Sequence, residues 1–283
     1  MFPGAFTYSR PATVSDAVAL LVDNPDAKIL AGGHSLVPAM KLRLAMPSAL
    51  VDLRDITELQ GVEASDDSVT IRAMATYNDV RDHEGAAAAL PILVEAINVV
   101  GDAQVRDHGT LVGSLVHNDP AADLTAVALA LGGDVHATGP NGDRSISLDD
   151  FFVDLWTTTL EPDEVVTHVT LNRPSQHSRM AYRKFAHPAS GYAIVGVAAV
   201  LGMDGDTVSQ ARVALTGAAS TATRLSSVET AITGQALTEE SVEAAIRDVT
   251  AGLTINGDQF APEAYRAHLV EVLTKRALLG TQA

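Results

Sequence analysis

The sequence contains no cysteine and very little lysine. The absence of cysteine among 283 residues excludes disulfides, thiolate zinc sites, cysteine nucleophiles and cysteine-held iron–sulfur clusters on this chain. Four lysines are present, and Lys and Arg together number 19 against 35 Asp and Glu, which gives a formal charge of −16. A chain this acidic repels nucleic acid and anionic membrane surfaces, so we expect neither as a partner.

Long apolar runs are also missing. No run reaches the roughly 18 residues that a membrane helix needs, and the longest candidate, residues 193–203, is predicted to be a buried strand. The first ten residues lack the basic and apolar regions of a signal peptide. We therefore expect a cytoplasmic protein without membrane insertion. Because apolar residues make up 47 % of the chain, packed cores are expected, in one large domain or two smaller ones.

The first part of the chain predicts short helices alternating with strands. Thr13 is a suitable N-cap for a helix over residues 13–23, and residues 27–30 are expected to form a strand. A glycine-rich turn then leads to a helix entrance with Ser35 as its cap and Pro38 in the first turn. Further along, we expect strands at 50–53 and 69–72, helices at 87–100 and 124–131, a glycine-punctuated polar segment at 105–123, and a hairpin at 134–147 around Asn141-Gly142.

The rest of the chain predicts a sheet followed by helices. Residues 165–171 are expected to form a strand that Arg173-Pro174 ends. Three strands of one antiparallel sheet are then predicted, and the chain from about residue 221 onward is predicted to be helical. The strands cover 180–185, 193–201 and 208–215, the clearest helical stretches are 242–249 and 261–279, and we place a domain boundary near residue 176.

Two loops rich in glycine and serine are the strongest candidates for a binding site. The first is residues 31–35, Ala-Gly-Gly-His-Ser, and the second is residues 110–114, Thr-Leu-Val-Gly-Ser. Glycine lets backbone N–H groups approach an anion, and a helix N-terminus adds about half a positive charge. In a chain with few cations, such loops are a suitable way to hold a diphosphate. Neither loop matches a Rossmann or Walker motif, so ordinary tight turns are the alternative interpretation.

Three longer segments give the sequence a family resemblance. Residues 31–43, AGGHSLVPAMKLR, and residues 109–123, GTLVGSLVHNDPAAD, resemble two diphosphate-binding loops of a flavoprotein, and residues 184–198, KFAHPASGYAIVGVA, resemble its strand pair beside the flavin. The chain thus resembles the FAD-binding medium subunit of molybdenum hydroxylases, the group that includes carbon monoxide, nicotine and xanthine dehydrogenases. The missing cysteines agree with this resemblance, because the iron–sulfur clusters of that family lie on another subunit.

The resemblance implies an α+β fold in two domains. Residues 1–176 would form a two-part FAD-binding domain of the vanillyl-alcohol-oxidase-like (PCMH) type, with subdomains at about 1–55 and 56–176. Residues 177–283 would form a C-terminal α+β domain with a three-stranded antiparallel sheet and a helix bundle. This division agrees with the boundary near residue 176 that the sequence pattern predicts.

The resemblance also implies a set of cofactor-binding residues and no catalytic or metal-ligating residue. Asp123 would bind the ribose or adenosine part of FAD, Val165 would offer a backbone contact to the polar edge of the ring, and Lys184 and Tyr192 would lie beside the isoalloxazine. The remaining residues lead into or lie along the diphosphate: Lys28, Ile29, Leu30, Ala31, Gly32, Gly33, His34, Ser35, Thr110, Gly113 and Ser114.

Several of these residues have simpler interpretations. His34 follows two glycines, as a covalent flavin anchor does in related oxidases, although the resemblance implies non-covalent FAD. His117, Asp119 and Asp123 have no familiar metal-ligand spacing, and Asp119-Pro120 is more simply a turn before a helix. The alternative for Tyr192 is a core aromatic residue, and the alternative for Lys184 is a charge at a strand edge; the cofactor contact is the favoured interpretation of both.

One residue departs from the family pattern. The second loop usually reads Thr-x-Gly-Gly-Ser or Thr-x-Gly-Gly-Asn, and here Val112 stands at the first of these glycines. A branched residue disfavours positive φ. We therefore expect Val112 in ordinary β-space, with its side chain turned from the cofactor; the alternative is a displaced loop that holds FAD weakly.

These inferences predict an FAD-carrying electron-transfer subunit. It would take electrons from two [2Fe–2S] clusters on a small subunit, which receives them from a molybdenum cofactor on a large subunit, and pass them to an external acceptor. The expected assembly is a dimer of heterotrimers. Two alternatives stay open: a free-standing FAD-dependent oxidase or reductase, and a flavin-free assembly or binding protein in which the loops are only turns.

Overall fold

The computed structural model describes residues 2–281 as an α+β chain with four sheets, which confirms the predicted fold class. The strands are β1 Thr7–Ser9, β2 Ala27–Leu30, β3 Ala49–Asp52, β4 Val62–Ala64, β5 Ser68–Arg72, β6 Gly133–Gly139, β7 Gly142–Ser147, β8 Phe152–Asp154, β9 Thr157–Thr158, β10 Val165–Asn172, β11 Ser178–Ala186, β12 Ala193–Asp204, β13 Thr207–Thr216 and β14 Thr223–Arg224.

Twelve α-helices connect and cover these strands within the described residues. They are α1 Val14–Asp23, α2 Leu36–Lys41, α3 Tyr77–Asp82, α4 Glu84–Ala89, α5 Pro91–Asn98, α6 Ala103–His108, α7 Leu111–His117, α8 Asp123–Leu131, α9 Leu148–Phe151, α10 Ser226–Ile232, α11 Glu239–Ile246 and α12 Glu263–Leu279. Within residues 2–281, none of them combines the length and the apolar character needed to cross a bilayer.

A small parallel sheet with strand order β1-β3-β2 opens the chain. The predicted helix at 13–23 is confirmed as α1, and the Thr13 side chain accepts a hydrogen bond from the amide of Asp16 at 3.1 Å. The predicted cap at Ser35 is wrong, although α2 starts where expected. Ser35 has helical angles (φ −100°, ψ −50°) and makes no side-chain cap hydrogen bond, whereas an N-cap residue is extended.

The central sheet has five strands in the order β4-β5-β10-β6-β7 and is antiparallel throughout. The hairpin predicted around Asn141-Gly142 is confirmed as β6 and β7, and Gly142 takes a φ of +103°. Its buried residues, such as Val135, Val69 and Leu171, belong to a large hydrophobic cluster that also contains one face of α1. This cluster forms the core beneath the functional site.

Two predictions about the middle of the chain need correction. The helix expected over 87–100 is divided into α4 and α5, because Pro91 lacks an amide hydrogen and forces Leu90 out of helical geometry (φ −132°). The polar segment at 105–123 contains the end of α6 and all of α7. Asp102 and Thr110 cap these helices by accepting hydrogen bonds from the amides of Val105 and Gly113.

The sheet in the last third of the chain has the order β11-β12-β13-β14. The three predicted strands are confirmed, but the short β14 joins them through Ala214–Arg224 and Leu215–Thr223 pairing, so the sheet has four strands. Alternate residues of β12 point to opposite faces. Ala198 and Val200 pack into the large cluster, whereas Val195, Val197, Ala199 and Leu201 pack with α10, α11 and α12.

Candidate functional site: a cavity between two glycine loops

A cavity of about 870 Å³ is bordered by both glycine loops. Twelve of the fifteen residues that the sequence singled out line it, and Leu30, Val165 and Lys184 do not. The wall also includes Tyr77 on α3, Gly101 beyond α5, and residues 156–158, 160–162 and 190–192. The cavity volume lies in the range typical of cofactor pockets.

The first glycine loop connects β2 to α2 and leaves a row of amides without backbone partners. Gly33 takes a φ of +75°, which glycine adopts without strain. The amides of Gly32, Gly33, His34 and Ser35 donate to no backbone carbonyl within residues 2–281. No side chain caps α2 either, and the N–H groups of the loop are free to bind an anion.

The second glycine loop is the N-terminus of α7. The Thr110 hydroxyl accepts a hydrogen bond from the Gly113 amide at 3.1 Å. Val112 is the second residue of the helix and only 2 % exposed. The expectation of β-space at this position is therefore wrong, but the residue avoids positive φ, and its side chain belongs to the hydrophobic core.

The two loops touch each other, so they form one cradle. A Cβ added to Gly32 would lie far inside 3.0 Å of the His108 carbonyl oxygen and 2.8 Å from the Gly109 Cα. The rings of His34 and His108 are also neighbours, with centroids 5.7 Å apart. Only glycine at position 32 allows the two backbones to approach this closely.

The charges around the cavity explain why backbone groups matter. Lys28 is the one lysine or arginine among the described residues that line it. Four carboxylates also line it, those of Asp119, Asp123, Glu161 and Glu164, of which Glu164 forms an ion pair with Arg144 at 2.6 Å. A bound diphosphate would therefore be neutralised mainly by amides and helix N-termini rather than by cationic side chains. The cradle of free N–H groups fits the diphosphate of a dinucleotide cofactor.

Asp123 is the centre of a buried polar network at the cavity wall. It begins α8, accepts a hydrogen bond from the Tyr182 hydroxyl at 2.6 Å and pairs with the Lys184 ammonium at 2.8 Å. The side chains of Asp123 and Lys184 are 6 % and 4 % exposed. Burial raises the pKa of the Asp123 carboxyl, although Lys184 and Tyr182 act in the opposite direction. The ammonium of Lys184 also donates to the Val99 carbonyl at 2.9 Å.

Three predicted site residues lie behind the cavity wall. Lys184 reaches the cavity only through Asp123. Val165 is fully buried, and its neighbours Glu164 and Val166 line the cavity instead. Leu30 packs with Met40 and Leu50 in a small hydrophobic cluster. The cofactor contacts expected of these three residues, including the backbone contact of Val165, stay predictions.

The polar residues near Tyr192 do not form a metal site. His117, Asp119 and Tyr192 all line the cavity, but the part of the chain from 2 to 281 holds no group of three or more metal-ligating side chains. Burial lowers the pKa of the His117 imidazole and raises the pKa of the Tyr192 hydroxyl. Asp119 instead forms a turn by accepting a hydrogen bond from the amide of Ala121 at 2.8 Å, as the sequence predicted.

Sequence reasoning missed several residues that build the site. Tyr182 lies two residues before Lys184 on β11 and therefore on the same face of the strand. The alternation of side chains along a strand could have predicted this placement from the sequence. Tyr77 was not singled out, and burial raises its pKa to about 12. Trp156 and Asn118 were also missed, because their roles depend on contacts between loops distant in sequence.

The fold and the cavity together define a class: an α+β protein with a site suited to a diphosphate-containing cofactor. Residues 4–174 match the family described as FAD binding domain in molybdopterin dehydrogenase. Residues 180–281 match the CO dehydrogenase flavoprotein C-terminal domain. The chain belongs to this family of flavoprotein subunits, which confirms the resemblance seen in the sequence.

Relatives match the chain along nearly its whole length. The carbon monoxide dehydrogenase medium chain of Hydrogenophaga pseudoflava is 38 % identical over 98 % of this chain and 97 % of its own. The nicotine 6-hydroxylase medium subunit of Paenarthrobacter nicotinovorans is 35 % identical over 99 % and 98 %. A solved structure of the Hydrogenophaga pseudoflava carbon monoxide dehydrogenase superposes with a TM-score of 0.95, at 38 % identity and covering 98 % of this chain and 97 % of that one.

Proposed function

We propose that this chain is the FAD-carrying electron-transfer subunit of a molybdenum hydroxylase. The observation that carries the proposal is the cradle made by the two touching glycine loops, in which four residues with free amides line a cavity of about 870 Å³. When bound, FAD accepts electrons and passes them to an external acceptor, and this redox chemistry belongs to the cofactor. The chain binds and orients the flavin and needs no catalytic acid or base of its own.

The proposed binding residues follow from the cavity wall. Gly32, Gly33, His34 and Ser35 offer amides to the diphosphate, and Thr110, Gly113 and Ser114 hold it from the opposite loop. Lys28, Ile29 and Ala31 lie along the cavity before the first loop. Asp123 and Tyr192 provide polar and aromatic contacts, and Leu30, Val165 and Lys184 support the wall from behind.

FAD is bound non-covalently in this proposal. The grip relies on backbone N–H groups that an anion satisfies without a covalent link. The rings of His34 and His108 are neighbours, so the His34 imidazole has a packing role that needs no covalent link to the flavin. Covalent attachment through His34 is the contrary outcome, and denaturation of the chain distinguishes the two.

The partners proposed for this chain carry the remaining redox centres. The relatives are described as medium chains or medium subunits, and this chain lacks the cysteines that would hold iron–sulfur clusters. We therefore assign the molybdenum cofactor to a large subunit and the [2Fe–2S] clusters to a small one. The proposed assembly is a cytoplasmic dimer of heterotrimers, with no nucleic acid and no membrane insertion.

The proposed domain division is 1–176 and 177–283. The FAD-binding part would be of the vanillyl-alcohol-oxidase-like (PCMH) type with subdomains at about 1–55 and 56–176. The family matches, which end at residue 174 and resume at residue 180, support this division. The helices after residue 225 have their own hydrophobic cluster with one face of β12, which supports it further.

Electron entry is the property that tests the proposal. The isolated chain loaded with FAD should keep its oxidised flavin spectrum when a hydroxylase substrate is added, because it holds no molybdenum centre. The complex isolated through a tag on this chain should contain a larger and a smaller companion, and its flavin should bleach on substrate addition. Flavin bleaching in the isolated chain would instead favour a free-standing oxidase or reductase. Failure to bind FAD would favour the flavin-free assembly protein.

A further inference from the structure

Trp156 is an unusual residue at the edge of the cavity. It is the one tryptophan of the sequence, it is 62 % exposed and it belongs to the cavity wall. Its φ of +51° lies in the left-handed region, where a bulky residue is strained. Strain of this kind persists only where the surrounding structure enforces it, and it concentrates at ligand-binding sites.

A buried asparagine enforces this conformation. The Asn118 side chain donates to the Asp154 and Thr157 carbonyls, both at 2.8 Å, and so holds the chain on either side of Trp156. The Trp156 amide donates to the Asn118 carbonyl at 3.3 Å. The Asn118 side-chain oxygen accepts a hydrogen bond from the Thr221 hydroxyl at 2.8 Å. The side-chain nitrogen thus fixes the loop around Trp156, while the side-chain oxygen is anchored by Thr221.

The same asparagine is connected to the cofactor cradle. Asn118 has a φ of 47° and ends α7, the helix whose N-terminus is the second glycine loop. Its amide donates to the Ser114 and Leu115 carbonyls, both at 3.2 Å. Asp119 and Asp123, which follow it, line the cavity. One continuous segment therefore shapes the diphosphate site and holds the tryptophan at the cavity edge.

We propose that Trp156 is a cofactor-binding residue, which packs its indole against a heteroaromatic ring of bound FAD, and that Asn118 is its positioning residue. This inference rests on the proposed FAD function. An indole offers a large flat face at little entropic cost, and stacking on aromatic side chains is how proteins hold planar bases. Three hydrogen bonds hold the loop of this strained and exposed tryptophan in place. We explain the strain by a contact that the indole makes with the bound cofactor.

The single tryptophan makes the test direct. Titration of the flavin-free full chain with FAD should quench the Trp156 emission in proportion to binding, because tryptophan emission overlaps flavin absorption. Trp156→Ala should raise the Kd for FAD about tenfold, which is about 1.4 kcal/mol, while Trp156→Phe should keep most of the affinity. Leu155→Ala is the matched control, because this neighbour is exposed but is not part of the cavity wall, and its Kd should match that of the wild-type chain.

A second variant separates stacking from a merely structural role. Trp156→Gly should raise the thermal unfolding midpoint of the flavin-free chain, since glycine accepts a φ of +51° without strain, yet it should weaken FAD binding as much as Trp156→Ala does. Asn118→Asp removes the two amide donors and should weaken FAD binding only when Trp156 is present. If the losses of FAD affinity caused by Asn118→Asp and Trp156→Ala were additive in the variant that carries both, the positioning role of Asn118 would be contradicted.

The outcomes distinguish the two proposals. If the wild-type chain binds FAD and Trp156→Ala binds it equally well, the stacking role is refuted and the FAD function stands. If the wild-type chain binds no FAD, both proposals fail. If Trp156→Ala keeps its FAD affinity but loses a companion subunit, the exposed residues Val153, Leu155 and Trp156 form a docking surface instead.

Discussion

Gly32 gives the sharpest test of how the two glycine loops work together. In Gly32→Ala, the added Cβ would lie 2.8 Å from the Gly109 Cα and even closer to the His108 carbonyl oxygen. Ordinary van der Waals contact begins at about 3.4 Å. Both neighbours are backbone atoms, so no side-chain rotation relieves the clash, and the loops must move apart by about an ångström.

The expected loss of FAD affinity follows from the hydrogen bonds between the loop amides and the diphosphate. A hydrogen bond to a charged group contributes about 1.5–3 kcal/mol. If separation of the loops removes two of the amide contacts to the diphosphate, the loss is about 3 kcal/mol or more, a Kd for FAD raised about a hundredfold. Forcing an extra methyl group into a packed contact also lowers the free energy of unfolding by about 1–3 kcal/mol.

The assay is titration of the flavin-free chain with FAD, followed by flavin fluorescence, together with thermal unfolding of the flavin-free chain. Gly4→Ala is the control, because its Cβ would meet nothing within 4 Å and both readouts should stay at wild-type values. A Gly32→Ala chain that binds FAD with wild-type affinity would refute the reasoning, since the two loops would then not need to touch.

Three other substitutions test separate parts of the account. Lys184→Met leaves the buried Asp123 carboxylate without its cation and should lower the free energy of unfolding by about 3–5 kcal/mol. This loss should be greater at neutral than at mildly acidic pH, because protonated Asp123 needs no cation. Urea unfolding measured across pH checks both the size and the pH dependence of the loss. Burial and His136 lower the pKa of His168 to about 4. The stability that this neutral imidazole contributes above pH 6.5 should therefore be lost as the pH falls towards 4, by on the order of 1 kcal/mol once solvent screening is allowed for. His168→Gln should flatten that part of the pH profile measured by urea unfolding. Val112→Gly should leave FAD affinity nearly unchanged while lowering the thermal midpoint, because Val112 is a buried helix residue, and an FAD affinity raised tenfold would contradict this.

The elements predicted best are those with strong local signals. Thr13 caps α1, and Asn141-Gly142 turns the β6–β7 hairpin, because caps and tight turns depend on residues close in sequence. Pro91 carried a clear signal against a continuous helix, and its effect was underestimated. The pairing of β14 and the exact boundaries of α6 and α7 depend on contacts that no local pattern contains.

The cavity was predictable in outline and less so in detail. Glycine and the start of a helix predict the two loops, but their contact at Gly32 and Gly109 is tertiary. The Val165 side chain is buried while its neighbours Glu164 and Val166 line the cavity, and the backbone contact expected at Val165 stays a prediction. The hydrogen bonds of Asn118 to the loop around Trp156 join segments nearly forty positions apart. No local sequence pattern predicts contacts at that separation.

The most direct test of the central claim is the flavin content of the purified chain before and after acid precipitation. After incubation with excess FAD and gel filtration, the absorption spectrum should give one flavin per chain. Acid precipitation should then release all of that flavin into the supernatant as FAD. A chain that elutes without flavin would contradict the proposed cofactor function, and a yellow washed pellet would contradict non-covalent binding and make His34 the covalent anchor.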